Sequence, residues 1–210
     1  MKLSIIIPSF KDVLLHRTID SLLESSELPP DQLEIIVVLD GYTPVKEIRS
    51  DPRIKIVRHG KTRGMREAIN SGVKVSTGEY LMRTDEHCMF SKGYDRILLE
   101  DIQDDWIVTL RRYFLDVEKW EIMDIPPVDC CKLIIDKERN KFSGITWKER
   151  QEKYKDEPLL ESMAMQGSQW CMARKLWDSV VVELQSEGYG THYSDSHEKV
   201  FKLWQAGGKL

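Results

Sequence analysis

The chain has 210 residues, 41% of them hydrophobic, enough to bury one full core, so one α/β domain with an insertion is expected. A formal net charge of −4 gives no electrostatic reason to expect nucleic acid as a partner. No apolar run approaches the roughly 18 residues that a membrane span needs, and Cys88, Cys130, Cys131 and Cys171 form no C-x-x-C pair, which argues against a zinc ribbon and fits a reduced, cytoplasmic compartment.

Leu3 to Ile7 is a continuous apolar run ended by Pro8-Ser9, the pattern of a strand buried on both faces of a parallel sheet. The first residues are too short and too β-branched for a signal peptide. Asp12 or Ser9 is placed to cap a helix with the stripe Leu15, Ile19, Leu22 and Leu23, which stops at Pro29-Pro30. Leu33 to Leu39 is a second buried strand ending in Asp40-Gly41, and Ile54 to Arg58 a third. The loop Gly60 to Gly64 leads into a helix carrying Met65, Ala68, Ile69, Gly72 and Val73, and Gly78 breaks before a strand at Tyr80. Strands separated in this way by helical patterns predict a mainly parallel, doubly wound sheet. Ligands bind outside the carboxyl ends of such strands. Pro8-Ser9, Asp40-Gly41 and Asp85-Glu86-His87 should therefore share one edge.

The Tyr80 strand delivers a carboxylate and an imidazole two positions apart. Residues i and i+2 of an extended chain point to the same side, so Asp85 and His87 can aim at one point. A carboxylate oxygen beside an imidazole nitrogen suits Mn²⁺ or a similar ion, with diphosphate oxygens and water completing the shell. An isolated D-x-H is a weak signal, and its weight comes from the strands around it. Gly60-Lys61-Thr62 resembles the tail of a P-loop, but Lys55 stands where its first glycine is needed. No G-x-G-x-x-G follows the first strand, which argues against a nicotinamide-type site.

Further on, Gly93 to Glu100 reads as a helix and Trp106 to Leu110 as a strand. The segment 117–158, with Pro126-Pro127, a short strand from Lys132 to Ile135 and a charged run from Lys148 to Glu157, reads as an insertion or flap. Met163 to Arg174 joins a small-residue turn to an apolar strand, and Lys175 to Leu184 continues as a helix. The last helix carries Val200, Phe201, Leu203 and Trp204 and ends at Gly207-Gly208. His192 and His197 have the wrong spacing for two ligands on one helical face and are read as non-metal residues.

In this order, Ser4 to Phe10, Val37 to Gly41, Gly64 to Asn70 with Gly78-Glu79-Tyr80, Asp85-Glu86-His87, Gly167 to Trp170 and Trp204 to Leu210 resemble family-2 glycosyltransferases of the GT-A fold. Asp85-Glu86-His87-Cys88 and Trp204-Gln205-Ala206-Gly207-Gly208 look most like the polypeptide N-acetylgalactosaminyltransferases, whose metal motif is D-x-H. The resemblance implies a single glycosyltransferase domain over 1–210, truncated at its C-terminus or minimal, since related domains continue with another strand and a later histidine ligand. It also implies that Pro8 and Ser9 border the nucleotide, that Asp40 accepts a hydrogen bond from uracil, and that Arg63 and Arg66 lie near the base or phosphates. Asp85 and His87 would hold Mn²⁺ or Mg²⁺ on the diphosphate, and Gly167 and Trp170 would line the sugar and acceptor side.

The chain departs from the pattern before its last helix. The usual Glu-Asp is replaced by Ser194-Asp195-Ser196, so Ser196 stands at the inverting enzymes' base and its hydroxyl cannot serve at neutral pH. Asp195 is the candidate base and Glu198 the reserve. The expected activity is metal-dependent transfer of a sugar from a nucleotide diphosphate donor, a UDP-sugar first, to a glycan, lipid-linked or protein hydroxyl. The alternative is a module of the same fold that binds a nucleotide sugar or glycan without turning it over.

Overall fold

The computed structural model describes residues 1–11, 13–138, 140–187 and 195–210. Its centre is a six-stranded sheet in the order β3-β2-β1-β4-β10-β5, formed by β1 (Leu3–Ser9), β2 (Leu33–Asp40), β3 (Ile54–His59), β4 (Tyr80–Thr84), β5 (Ile107–Val108) and β10 (Gln169–Ala173). β1 pairs in parallel with β2 and β4, and β2 with β3, while β10 runs antiparallel to both β4 and β5. β10 joins the sheet after the long excursion that follows β5.

Period-two alternation divides the strand side chains between two cores. Leu3, Ile5 and Ile7 of β1 and Leu33, Ile35, Val37 and Leu39 of β2 pack with Leu15, Ile19 and Leu22 of helix α1 (Leu15–Ser25) and Leu98 and Leu99 of α3 (Tyr94–Glu100). Ile6, Ile36 and Val38 face the other way, onto Ala68, Ile69 and Val73 of α2 (Met65–Val75) and Val200 and Leu203 of α6 (Asp195–Gln205). Each fully buried Leu or Ile contributes roughly 1.5–3 kcal/mol relative to exposure, which is why both faces of these strands read as unbroken apolar runs.

The expected cap of α1 is not made by Ser9, whose hydroxyl is used elsewhere, and Asp12 lies outside the described residues; Leu14 stands at the cap position without a side-chain bond. The 117–158 segment contains β7 (Glu121–Ile122), which pairs with β6 (Leu115–Asp116), the hairpin of β8 (Cys131–Asp136) and β9 (Lys141–Thr146), and α4 (Lys148–Lys153), a helix with no buried residue. The helix expected over Lys175 to Leu184 is shorter than the pattern suggested. Only Arg174–Leu176 (α5) is α-helical; a π-helical turn, Trp177–Val181, follows and ends at Val182, whose φ is +62°. Gly207, at φ +80°, follows α6 in the left-handed conformation expected of a C-terminal glycine.

Candidate functional site

The C-terminal ends of β1, β2 and β4 lie side by side and are stitched together by side chains. Ser9 Oγ donates to Glu86 Oε2 and meets the Tyr42 hydroxyl, and the Phe10 amide donates to Glu86 Oε1 at 2.8 Å. Glu86 therefore turns inward, and its neighbours on either side point the other way. Asp85 Oδ2 and His87 Nε2 come within 3.8 Å of each other at the open rim, with the side chains 26% and 50% exposed. β4 ends at Thr84 and Glu86-His87 lie in a turn, so this approach comes from the turn and not from the extended i, i+2 relation.

Asp85 has a partner that the sequence reading missed. Arg83, buried on β4, donates from Nη2 to Asp85 Oδ1 and lies 3.1 Å from Met65 Sδ. A charged residue inside an otherwise apolar strand, two positions before the carboxylate, was the available signal. The Asp85 backbone amide donates to Ser168 O at 2.9 Å, which brings the turn around Gly167 beside the β4 tip.

Asp40 is enclosed. Its carboxylate accepts from the Arg63 and Gly64 amides at 2.8 Å each and sits 2.8 Å from His59 Nδ1. Burial pushes its carboxyl up, but His59 and the two amides outweigh that and hold it below its ordinary value. Asp40 thus shapes the 60–64 loop, with Oδ1 taking two of these contacts and Oδ2 one. Gly41, at φ +76°, allows the turn, since a Cβ there would stand 2.2 Å from the Thr62 nitrogen.

Four expected positions are corrected. Ser9 is buried with its hydroxyl bonded to protein groups, so it borders the rim without offering that hydroxyl to a ligand. Arg66 is buried and donates to Glu198 and to Gln185 O, so its charge is engaged by protein groups. Glu198 in turn receives Lys202 Nζ at 2.9 Å and the Gln185 amide at 3.3 Å, so it is a packed ion-pair partner and not an open base. Trp170 is 0% exposed, stacked on Trp177 at 5.7 Å between ring centroids, and belongs to the core below the site. Pro8 keeps its place at the end of β1, opposite Val38. Arg63 stays half-exposed beside Glu67, at 3.6 Å.

Asp195 opens α6 directly behind Gly167. A Cβ on Gly167 would crowd Ser196 Oγ at 3.1 Å and stand in ordinary contact with Asp195 Oδ1 at 3.7 Å. Its Oδ2 receives Lys199 Nζ at 2.6 Å; Lys199 is wholly buried, 5.1 Å above the Trp170 ring. Burial opposes ionisation of Asp195, but the charges of Lys199 and Arg83 outweigh it and hold the carboxyl below its ordinary value. Lys199, four residues on in the same helix, was legible as an i, i+4 pair. Its burial was not. His192 lies outside the described residues, and His197 packs its ring near Phe201 at 6.5 Å.

The model of glycosyl transferase family 2 matches residues 4–174. The chain is 26% identical over 216 aligned positions to a putative polypeptide N-acetylgalactosaminyltransferase 10 of Caenorhabditis briggsae, covering 93% of this chain and 32% of that protein. It is 22% identical over 230 positions to polypeptide N-acetylgalactosaminyltransferase 12 of Mus musculus, covering 100% and 38%. The chain spans about a third of the length of these curated relatives. Its fold is similar to the crystal structure of GalNAc-T7 with UDP, GalNAc and Mn²⁺, with a TM-score of 0.71, 18% identity and coverage of 100% of this chain and 41% of that one. The mannosyltransferase PcManGT of Pyrobaculum calidifontis, in complex with GDP-Man and Mn²⁺, gives 0.60 at 18% identity with 99% and 53% covered. S. aureus TarS 1-349 gives 0.63 at 13% identity with 97% and 55% covered. At these identities the likenesses establish the architecture, and together with the family match they lead to one conclusion: this chain belongs to glycosyl transferase family 2 and has the GT-A fold.

Proposed function

We propose that this chain is the donor-handling part of a metal-dependent glycosyltransferase that moves a sugar from a nucleotide diphosphate, a UDP-sugar first, to a hydroxyl of a glycan, a lipid-linked glycan or a protein. The observation that carries the reading is the convergence of Asp85 and His87 at the rim of the sheet. Two donors each about 2.1 Å from one ion stand at most about 4.2 Å apart; Asp85 Oδ2 and His87 Nε2, at 3.8 Å, fit within that span. Among the described residues no third His, Cys, Asp or Glu joins them, so diphosphate oxygens and water would supply the other ligands. When bound, Mn²⁺ or Mg²⁺ would neutralise the charge that grows on the leaving diphosphate.

The protein groups divide the remaining work. Arg83 orients Asp85. Glu86 keeps the β1 and β4 tips in register, and Asp40 holds the 60–64 loop over the edge. Asp195, kept ionised by Lys199, would take the proton of the acceptor hydroxyl as its oxygen attacks the sugar. The names of the relatives suggest N-acetylgalactosamine as the first sugar to try. No helix among the described residues is long and apolar enough to cross a membrane. The cysteines are free thiols, which suits the cytoplasm.

The burial of Asp195, at 2% exposure, favours a second reading in which the chain binds donor without turning it over. Calorimetry with UDP-N-acetylgalactosamine and GDP-mannose, with and without Mn²⁺, tests both. The proposed function expects Mn²⁺-dependent binding that weakens at least about tenfold in Asp85→Ala, the scale of one lost charged contact, together with slow release of UDP. Binding with no UDP release after long incubation selects the second reading. Unchanged binding in Asp85→Ala removes the metal site.

A further inference from the structure

We propose that Arg112 is a second, protein-borne cation for the donor diphosphate, acting from the connection between β5 and β6. This rests on the donor-binding reading above. Arg112 is held at its backbone by a two-way pairing with Val128, whose amide donates to Arg112 O at 2.8 Å while the Arg112 amide donates back at 3.3 Å. From there the half-buried side chain reaches Ser168, with Nη1 3.4 Å from Oγ. Ser168 is the residue whose carbonyl accepts the Asp85 amide, so the guanidinium lies one residue's breadth from the rim where Asp85 and His87 meet.

Arg112 has no carboxylate partner among the described residues; Arg17, Arg150 and Arg174 also lack one, but they bond Val117 O, Glu161 O and Gly78 O, whereas Arg112 reaches Ser168 beside the rim. Arg49, Arg53, Arg96 and Arg111 each form an ion pair, with Asp20, Asp51, Glu27 and Asp129 respectively. Those pairings help raise each guanidinium's pKa, whereas burial pushes Arg112 down, with Asp85 only partly opposing it. The charges at the rim explain why Asp85 does not serve as its partner. Arg83 already bonds the near oxygen of Asp85, and Glu86 is turned inward onto Ser9 and Phe10. Arg112 therefore forms an ion pair with neither Asp85 nor Glu86. A half-desolvated guanidinium in that state is a receptor for an anion, and its planar fork suits phosphate oxygens.

The test is calorimetric titration of the full chain with UDP in Mn²⁺, beside NMR titration with uridine. Arg112→Ala and Arg112→Gln, the second able to keep a contact to Ser168 but not the charge, are each expected to weaken UDP binding about tenfold or more and leave uridine unchanged. Arg112→Lys should recover part of the loss. Arg111→Ala changes net charge equally but removes a residue paired with Asp129, and it should bind UDP as the parent does. Thermal midpoints of the variants establish that each is folded. UDP binding unchanged in both charge-removing Arg112 variants, or weakened equally in Arg111→Ala, overturns the role of Arg112 while the donor reading stands. A parent protein that binds no UDP at all overturns both.

Discussion

Lys199 brings an ammonium group into the interior, and what it does there depends on one oxygen atom. Its Nζ sits 2.6 Å from Asp195 Oδ2 and over the Trp170 ring, with Arg83 and Arg66 contributing further positive charge nearby. Removing one member of a buried ion pair leaves the other charge unmatched, which typically costs about 3–5 kcal/mol, whereas replacing both with apolar groups is often neutral. Lys199→Met should lose about 3 kcal/mol of stability to urea, and Lys199→Met with Asp195→Leu should recover most of it. The pH dependence has a definite sign. Without Lys199 the Asp195 carboxyl rises in the folded state, so the deficit of Lys199→Met should shrink as pH falls and that carboxyl takes up a proton. A deficit independent of pH would mean that Asp195 is not the group left unmatched. At this scale the sequence offered Asp85, His87 and Asp195 as candidates from residue type alone. Trp170, Ser9, Arg66 and Glu198 were misplaced, because whether a side chain faces solvent or core is set by neighbours up to 132 positions away.

Between elements, α2 lies close against β1. Gly72 lies on the buried stripe of α2, and a Cβ there would come within 2.5 Å of Ile6 Cγ2 and 3.3 Å of Val38 Cγ2. Ile6 is fixed by the sheet and has no room to retreat, so Gly72→Ala should destabilise by about 1–3 kcal/mol in spite of alanine's higher helix propensity. Chemical denaturation checks this, and a variant more stable than the parent would show that the helix shifts freely on the sheet. The strands β1, β2 and β4 and helices α1 and α2 were legible from unbroken apolar runs and 3.6-residue stripes. β9 was missed because Lys-Phe-Ser-Gly-Ile-Thr carries a glycine and too few apolar residues, and its pairing with β8 supplies what its own sequence lacks. The stop after α5 was missed as well. The contact that holds the following loop is supplied by Asn70 of α2, which bonds both the amide and the carbonyl of Leu184.

For the molecule as a whole, one buried carboxylate links the strands to the acid limit of stability. Glu34 is buried between Ser4, Thr77 and Lys55, with Lys55 Nζ at 2.6 Å. Burial pushes its carboxyl up, yet the Lys55, Ser4 and Thr77 contacts outweigh this and bring it down to about 2 from 4.5. A carboxyl lowered in the folded state stabilises above its unfolded value and ceases to do so as pH falls through the folded one. Stability should therefore decline between about pH 4.5 and pH 2, and Glu34→Gln should be less stable at neutral pH but flatter across that window. Equal acid slopes in thermal unfolding of the two proteins would assign the loss to other carboxylates.

The sequence alone determined the parallel β-α-β-β-α-β frame and the edge on which polar strand ends gather, because burial on two faces leaves a local pattern and a strand's period of two aims alternate residues together. The approach of Asp85 to His87 at that edge belongs to the turn that follows β4. The tertiary structure alone decided which of the polar groups remain open: Glu86 turns in toward Ser9, Asp40 closes on its own loop, Arg66 and Glu198 spend their charges on each other, and Arg112 pairs with neither Asp85 nor Glu86. Those outcomes depend on the balance of charges and hydrogen bonds among segments distant in sequence, and such a balance exists only once the chain has brought them together.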